Sequence, residues 1–354
     1  MISRYGKHFI NHKVTTKDGY ILSLFEYNNP NKNEIKKENL IIQHGLQDSS
    51  DFITQTPSGN DIIDSLSCKY RLWLPNSRGN KYSMENTGFS NKNDIFWDFS
   101  FQEMGKYDIP AVIDHIQNES KNQNKLAYIG VSQGTALMTS ALTDNLQYFQ
   151  EKLGLYVAVV PVFDSKKSLI PKYEMKNIQF HEKAGKYNIS PPGKLKKAFF
   201  SRLFTKYPQI VKHLLKNFTD KNPDFDIHSI NDFSEFIANY LLSGCSLKCY
   251  SHFSQILLNK KFQAFDYGPI KNIKIYGQSD PPLFDTKLIK GIPIAIFAGE
   301  DDLICNIDDV KEFRDSLSEN VIYFKSYANA GHSIFWSSKD LWFSDFTSLL
   351  LDRV

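Results

Sequence analysis

No apolar run in the sequence approaches the roughly 18 residues that a bilayer span requires. Met1 to Ile10 lack the apolar stretch of a secretory leader. There is no phosphate-binding G-x-x-x-x-G-K-S/T, no dinucleotide G-x-G-x-x-G after a strand pattern and no H-E-x-x-H, so nucleotide and zinc-protease chemistry have no footing. Charge of one sign is scarce: a net +3 over 354 residues gives the whole chain little attraction for nucleic acid. Cysteine is scarce as well, with Cys68, Cys245, Cys249 and Cys305. The spacing of Cys245 and Cys249 suits one helix face, but no second Cys/His pair completes a zinc set. These thiols read as buried or unpaired, with a local disulfide left open. Neither a metal nor a cofactor is expected.

What is present points to a folded globular protein. The chain is 41% hydrophobic, 14% aromatic and 23% charged, enough to bury a large core. Its length exceeds an ordinary domain, so an insertion or a second domain is expected. Val14 to Thr16, Asp18-Gly19 and Tyr20 to Tyr27 read as a hairpin with an Asp-Gly turn. Short apolar runs at Leu40 to Ile42, Arg71 to Leu74, Leu126 to Ile129 and Tyr156 to Val160 suit buried strands. Helical spacing marks Tyr107 to Gln117 and Thr135 to Leu146. This alternation predicts a doubly wound, mostly parallel sheet of the α/β class.

The alternation stops near Ser165 and returns with Ile292 to Ala298 and Val321 to Ser326. The expected organisation is an α/β core in two parts, residues 1–165 and 263–354, with a helical cap inserted at 166–262 and no strand within it. The insertion is basic. Pro171 to Thr219 holds eleven Lys and Arg against Glu174 and Glu182, a local +9 in a chain of net +3, so the remainder carries −6. From Gly193 to Phe218, apolar residues such as Leu195, Phe199, Leu203, Ile210 and Leu214 alternate with lysines, and Pro208 divides the stretch. A static cap with solvated lysines and a mobile lid that settles on an anionic lipid surface both fit this pattern.

Gly130-Val131-Ser132-Gln133-Gly134, with a strand before it and a helix after it, has the form of a nucleophile elbow. The tight turn pushes a serine oxygen outward, and the glycines keep side chains out of the crowded backbone. A serine nucleophile needs a base, and the base an orienting acid, in the chain order Ser, acid, His. His332, in the loop after Val321 to Ser326, fits the base. The acid should follow Ile292 to Ala298, where Glu300, Asp301 and Asp302 compete and local reasoning leaves them equal. The backbone N–H groups of Leu46, after the strand ending at Gln43-His44-Gly45, and of Gln133 are expected to form the oxyanion hole. His44 has no place in the triad order and reads as a structural loop residue.

Several runs carry a family likeness across nearly the whole chain. They include Lys17-Asp18-Gly19-Tyr20, Gln43-His44-Gly45-Leu46, Asn76-Ser77-Arg78-Gly79-Asn80, Lys106-Tyr107-Asp108-Ile109-Pro110-Ala111 and Phe262-Gln263-Ala264-Phe265-Asp266-Tyr267-Gly268. The chain resembles the acid lipases, the gastric and lysosomal group within the α/β-hydrolase fold. The resemblance implies Asp302 as the acid, eight residues before Val310 in a D-x7-V pattern, and His332 as the catalytic histidine. It implies hydrolysis of triglycerides or steryl esters, with lysosomal or extracellular placement. An esterase for small soluble esters, or a lipid-binding protein of the same fold without catalysis, are the competing readings. Two positions depart from the family pattern and bear on pH preference: Val131 replaces the usual His before the nucleophile, and Ile334 replaces the usual acidic residue two after the catalytic His.

Overall fold

The computed structural model describes residues 8–27, 37–121, 124–168, 188–189, 202–203, 206–207, 209–210, 243–337 and 339–352. The strands in chain order are β1 (Phe9–Thr15), β2 (Tyr20–Tyr27), β3 (Glu38–Gln43), β4 (Tyr70–Pro75), β5 (Glu85–Asn86), β6 (Leu126–Val131), β7 (Leu153–Val159), β8 (Asn188–Ile189), β9 (Cys245–Ser246), β10 (Ile294–Gly299) and β11 (Val321–Tyr327). One sheet runs in the order β1-β2-β4-β3-β6-β7-β10-β11, with β5 beside β2. It is parallel from β4 to β11 and antiparallel where β2 meets β1, β4 and β5.

The central strands are buried on both faces, which is why β6 and β10 read as unbroken apolar runs. Alternate residues feed two separate cores. Leu40 and Ile42 join one; Ile41 joins the other. Five long helices cover the faces: α1 (Pro57–Leu66), α2 (Ile109–Ser120), α3 (Gln133–Asp144), α6 (Ile307–Leu317) and α7 (Lys339–Asp352), with α4 (Leu247–Asn259) and α5 (Pro269–Tyr276) between them in the chain. Ile62, Ile63 and Leu66 of α1 share a core with Trp342, Phe346 and Leu350 of α7. Val112 and Ile116 of α2, Leu137 and Met138 of α3, and Val310 and Phe313 of α6 fill the other. Helices on both faces of a mostly parallel sheet make the doubly wound architecture read from the sequence.

The hairpin differs from its expected form. The β1–β2 ladder ends at Thr15 opposite Ile21, and the turn spans four residues, with Gly19 N–H on Thr16 O at 3.0 Å and Thr16 N–H on Tyr20 O at 2.8 Å. Gly19 has φ +91°, so the glycine closes a turn with a bulge instead of a two-residue loop. Most of 166–262 lies outside the described residues, including nearly all of the basic stretch from Gly193 to Phe218. What is described there corrects one expectation: β8 and β9 pair antiparallel, Ile189 opposite Cys245, so residues 166–262 do contain strand. Cys245 therefore stands outside the helix that holds Cys249. Two-residue strands are too short to print a periodic pattern, and Ser246, whose side chain accepts from Lys248 N–H, sets the helix start after Cys245. Cys68, Cys245, Cys249 and Cys305 all carry free thiols. No helix among the described residues is long and apolar enough to cross a membrane.

Candidate active site

Ser132 ends the central strand β6 and starts α3, with φ 53° and ψ −115°. A non-glycine residue in this region is strained. The strain is held by three ties. Ser132 N–H bonds Val159 O at 3.0 Å, Thr135 Oγ–H bonds Ser132 O at 2.6 Å, and Thr135 Oγ accepts from Val162 N–H at 3.1 Å. The glycines are required by contact. A Cβ on Gly130 would sit 2.6 Å from Gly134 O, and one on Gly134 would sit 2.8 Å from Gln43 O.

The loops after β10 and β11 bring the other candidates to the same edge. Glu300 N–H bonds Tyr327 O at 3.0 Å and Asp301 N–H bonds Ala330 O at 2.9 Å, so the two loops are stitched together. His332 Nε2 lies 2.9 Å from Ser132 Oγ, and His332 Nδ1 lies 2.9 Å from Asp302 Oδ2. Asp302 is 1% exposed, and its Oδ1 accepts from the N–H groups of Ile304 and Cys305, each at 2.8 Å. With one oxygen filled by two donors, the carboxylate's other oxygen can only accept from His332 Nδ1–H. That fixes the tautomer and leaves Nε2 with a lone pair toward the serine proton. The two competing carboxylates have other surroundings. Glu300 accepts from Ser326 Oγ–H at the surface, and Asp301 contributes its backbone to the loop stitch.

The two amides expected for the oxyanion hole flank Ser132. Gln133 is the first residue of α3, and Leu46 follows Gly45, where an added Cβ would come within 3.4 Å of Ser132 Cβ. Neither amide donates to a backbone carbonyl among the described residues.

His44 is a loop residue, as expected, and its structural task is now specific. Its Nε2 accepts from Ser77 N–H at 3.1 Å, so Nδ1 carries the hydrogen and donates to Gly45 O at 2.7 Å. The neutral ring thus ties the Gly45-Leu46 backbone to the loop after β4. Burial pushes the His44 pKa from 6.5 down to about 4, partly offset by the Gly45 carbonyl. A folded-state pKa below the unfolded one means the unfolded chain binds more protons between those values. Stability is then full above about pH 6.5 and is lost as pH falls toward 4, by at most roughly 3 kcal/mol. Urea unfolding of wild type and His44→Asn across that window should show a shallower pH slope in the variant, which has no proton to take up. Equal slopes would remove the neutral histidine from the account.

Sequence reasoning missed the backbone donors to Asp302 and the Thr135 bridge. The Asp-x-Ile-Cys spacing, with amides two and three residues on, is the sort of local turn that could have singled out Asp302. Asp302, Cys305 and His332 offer ligand atoms within 4.8 Å of one another. They suit a metal poorly: the acid and the ring are bonded to each other, and burial raises the Cys305 thiol well above its usual range, withholding a thiolate.

Residues 38–339 match the profile of the family described as alpha/beta hydrolase fold, and residues 1–56 match a partial alpha/beta-hydrolase lipase region. The chain is 32% identical over 347 residues to a gastric triacylglycerol lipase of Bos taurus, covering 94% of this chain and 84% of the relative. It is 29% identical over 348 residues to lipase member J of Homo sapiens, covering 95% and 93%. Among solved structures, an esterase from Exiguobacterium antarcticum aligns with a TM-score of 0.56 over 97% of this chain and 98% of that chain, at 14% identity. At that identity the likeness concerns the fold alone.

Proposed function

The chain belongs to the acid lipase family of the α/β-hydrolases and is a serine ester hydrolase, and on that premise we propose that it cleaves triglycerides or steryl esters with Ser132 as nucleophile, His332 as general base and Asp302 as orienting acid. The observation that carries this reading is the hydrogen-bonded line from Ser132 Oγ through His332 to Asp302, at 2.9 Å and 2.9 Å, on a strained elbow. His332 Nε2 takes the Ser132 proton as Oγ attacks the ester carbonyl. The Leu46 and Gln133 amides receive the oxyanion. His332 then gives its proton to the departing alcohol, and water repeats the sequence on the acyl-enzyme to release the acid. A serine-reactive phosphonate tests the nucleophile, since labelling requires an activated serine. Hydrolysis rates on matched long- and short-chain esters test the substrate class. A strong preference for short soluble esters would replace the lipase by a small-ester esterase.

The insertion at 166–262 acts in this reading as a basic cap that touches the lipid surface. Its described fragments support that role. Leu203 and Ile210 are half-buried against the core that holds Ala330 and Phe335, while Arg202 and Lys206 face solvent. Further along, α5 exposes Ile270 and Ile273 beside exposed Lys271 and Lys274, a second surface of the same apolar and basic character. Activity on emulsified long-chain ester should rise when anionic lipid is added. It should fall severalfold as salt shortens the screening length from roughly 10 Å at 0.1 M to 3 Å at 1 M. A rate indifferent to both leaves a static cap.

A further inference from the structure

The fold brings a histidine of the N-terminal strand against a histidine and a glutamate that stand about a hundred residues later in the chain. His12 lies on β1, while His115 and Glu119 lie four residues apart on α2 and so on one helix face. A ring nitrogen of each histidine and a carboxylate oxygen of Glu119 fall within 4.8 Å of one another. We propose that His12, His115 and Glu119 bind a divalent transition-metal ion of the zinc class, clamping the edge strand β1 to α2.

The separations suit such an ion. Zinc–ligand bonds of roughly 2.0–2.2 Å in a tetrahedral site hold ligand atoms about 3.3–3.5 Å apart, which small side-chain rotations reach from here. The surrounding hydrogen bonds prepare both rings. His12 Nε2 lies 2.7 Å from Glu26 Oε2, and Glu26 is 1% exposed and also receives Arg71 Nε–H at 2.5 Å. Glu26 thus acts as an acceptor, His12 Nε2 carries the hydrogen, and Nδ1 is left with the lone pair. A carboxylate behind a ligating histidine is how metal sites fix the ring and raise its basicity.

His115 supplies the second, independent observation. Its Nε2 is buried and, among the described residues, has no hydrogen-bond partner. A buried polar atom left unpaired carries a cost that a bonded metal would remove. The two rings meet edge to face with centroids 5.1 Å apart. Two imidazoles and a carboxylate form a donor set that zinc accepts, and the exposure of Glu119 leaves a fourth position open to water. Because β1 is four strands from β6 in the sheet order, the site is on the order of 20 Å from the Ser132 strand. At that distance the ion takes no part in the chemistry at Ser132.

Calorimetric titration of the chelator-treated full chain with zinc chloride at near-neutral pH tests the site. A single saturable equivalent is expected, with a melting temperature raised by about a few degrees at saturation. His115→Ala and Glu119→Gln should each weaken binding by about tenfold or more, while metal-free melting and the rate on a soluble ester stay near wild type. Absence of saturable binding would overturn the proposal, and so would binding unchanged in both variants. A titration abolished only by Cys305→Ser would move the ion to the catalytic acid and overturn it equally.

Discussion

Ser132→Ala lowers kcat by on the order of 10⁶ and leaves the fold standing. The elbow's backbone ties pass through Ser132 N–H and O, not through its hydroxyl, so alanine keeps the same strained turn. What vanishes is the oxygen 2.9 Å from His332 Nε2. The activity that survives comes from the oxyanion amides and substrate binding acting on water, which in triad enzymes is a small remnant. Turnover of a soluble ester, together with melting temperature, reads both halves of the expectation. A variant with a tenth of wild-type turnover would remove Ser132 from the chemistry. A variant that fails to fold would point to a structural role for the hydroxyl.

Asp302→Asn should cost roughly 10⁴-fold in kcat, and Asp301→Asn should cost little. The carboxylate of Asp302 accepts three hydrogen bonds, from His332, Ile304 and Cys305. An amide has one oxygen, so its NH₂ must face either the two backbone donors or the imidazole. Facing the donors, it sets N–H against N–H in a buried site. Facing the ring, it forces the hydrogen onto Nε2, where the imidazole can no longer take the serine proton. Asp301 ties the loop through its backbone, which asparagine retains. Rates for the two variants on one soluble ester decide the matter, and a crippled Asp301→Asn would shift the acid by one residue.

The elbow and the strands that flank it were legible because their determinants are local. A doubly buried strand must be apolar at every position, and the elbow needs its glycines, so β6, β7 and β10 stand out in the sequence. The acid was not legible from its neighbours. Glu300, Asp301 and Asp302 are adjacent carboxylates, and what separates them is the approach of His332 and the burial of Asp302, both products of the sheet. The resemblance to acid lipases points to Asp302, and of the three carboxylates Asp302 is the one that lies 2.9 Å from His332 Nδ1. The family's most specific runs turn out to serve the core. Arg78, 1% exposed, pairs with Asp18 and Asp108 and lies 3.9 Å over the Tyr20 ring, joining three motif segments into one buried cluster. Such long-range pairs leave no periodic trace. Cys245 misled for a related reason: spacing alone placed it on a helix, while the partner strand that claims it lies far back in the chain.

Cys305 sits against the proposed catalytic acid, its N–H on Asp302 and its Sγ–H on Val160 O at 3.3 Å. Burial holds that thiol far from the thiolate form that oxidants and alkylating agents attack. The surroundings of Asp302 are therefore chemically quiet: peroxide and maleimides should meet the partly exposed Cys68 well before they meet Cys305. Electrophiles selective for sulfur and for oxygen would then modify this protein at separate places, the first at Cys68 and the second, on the proposed mechanism, at Ser132.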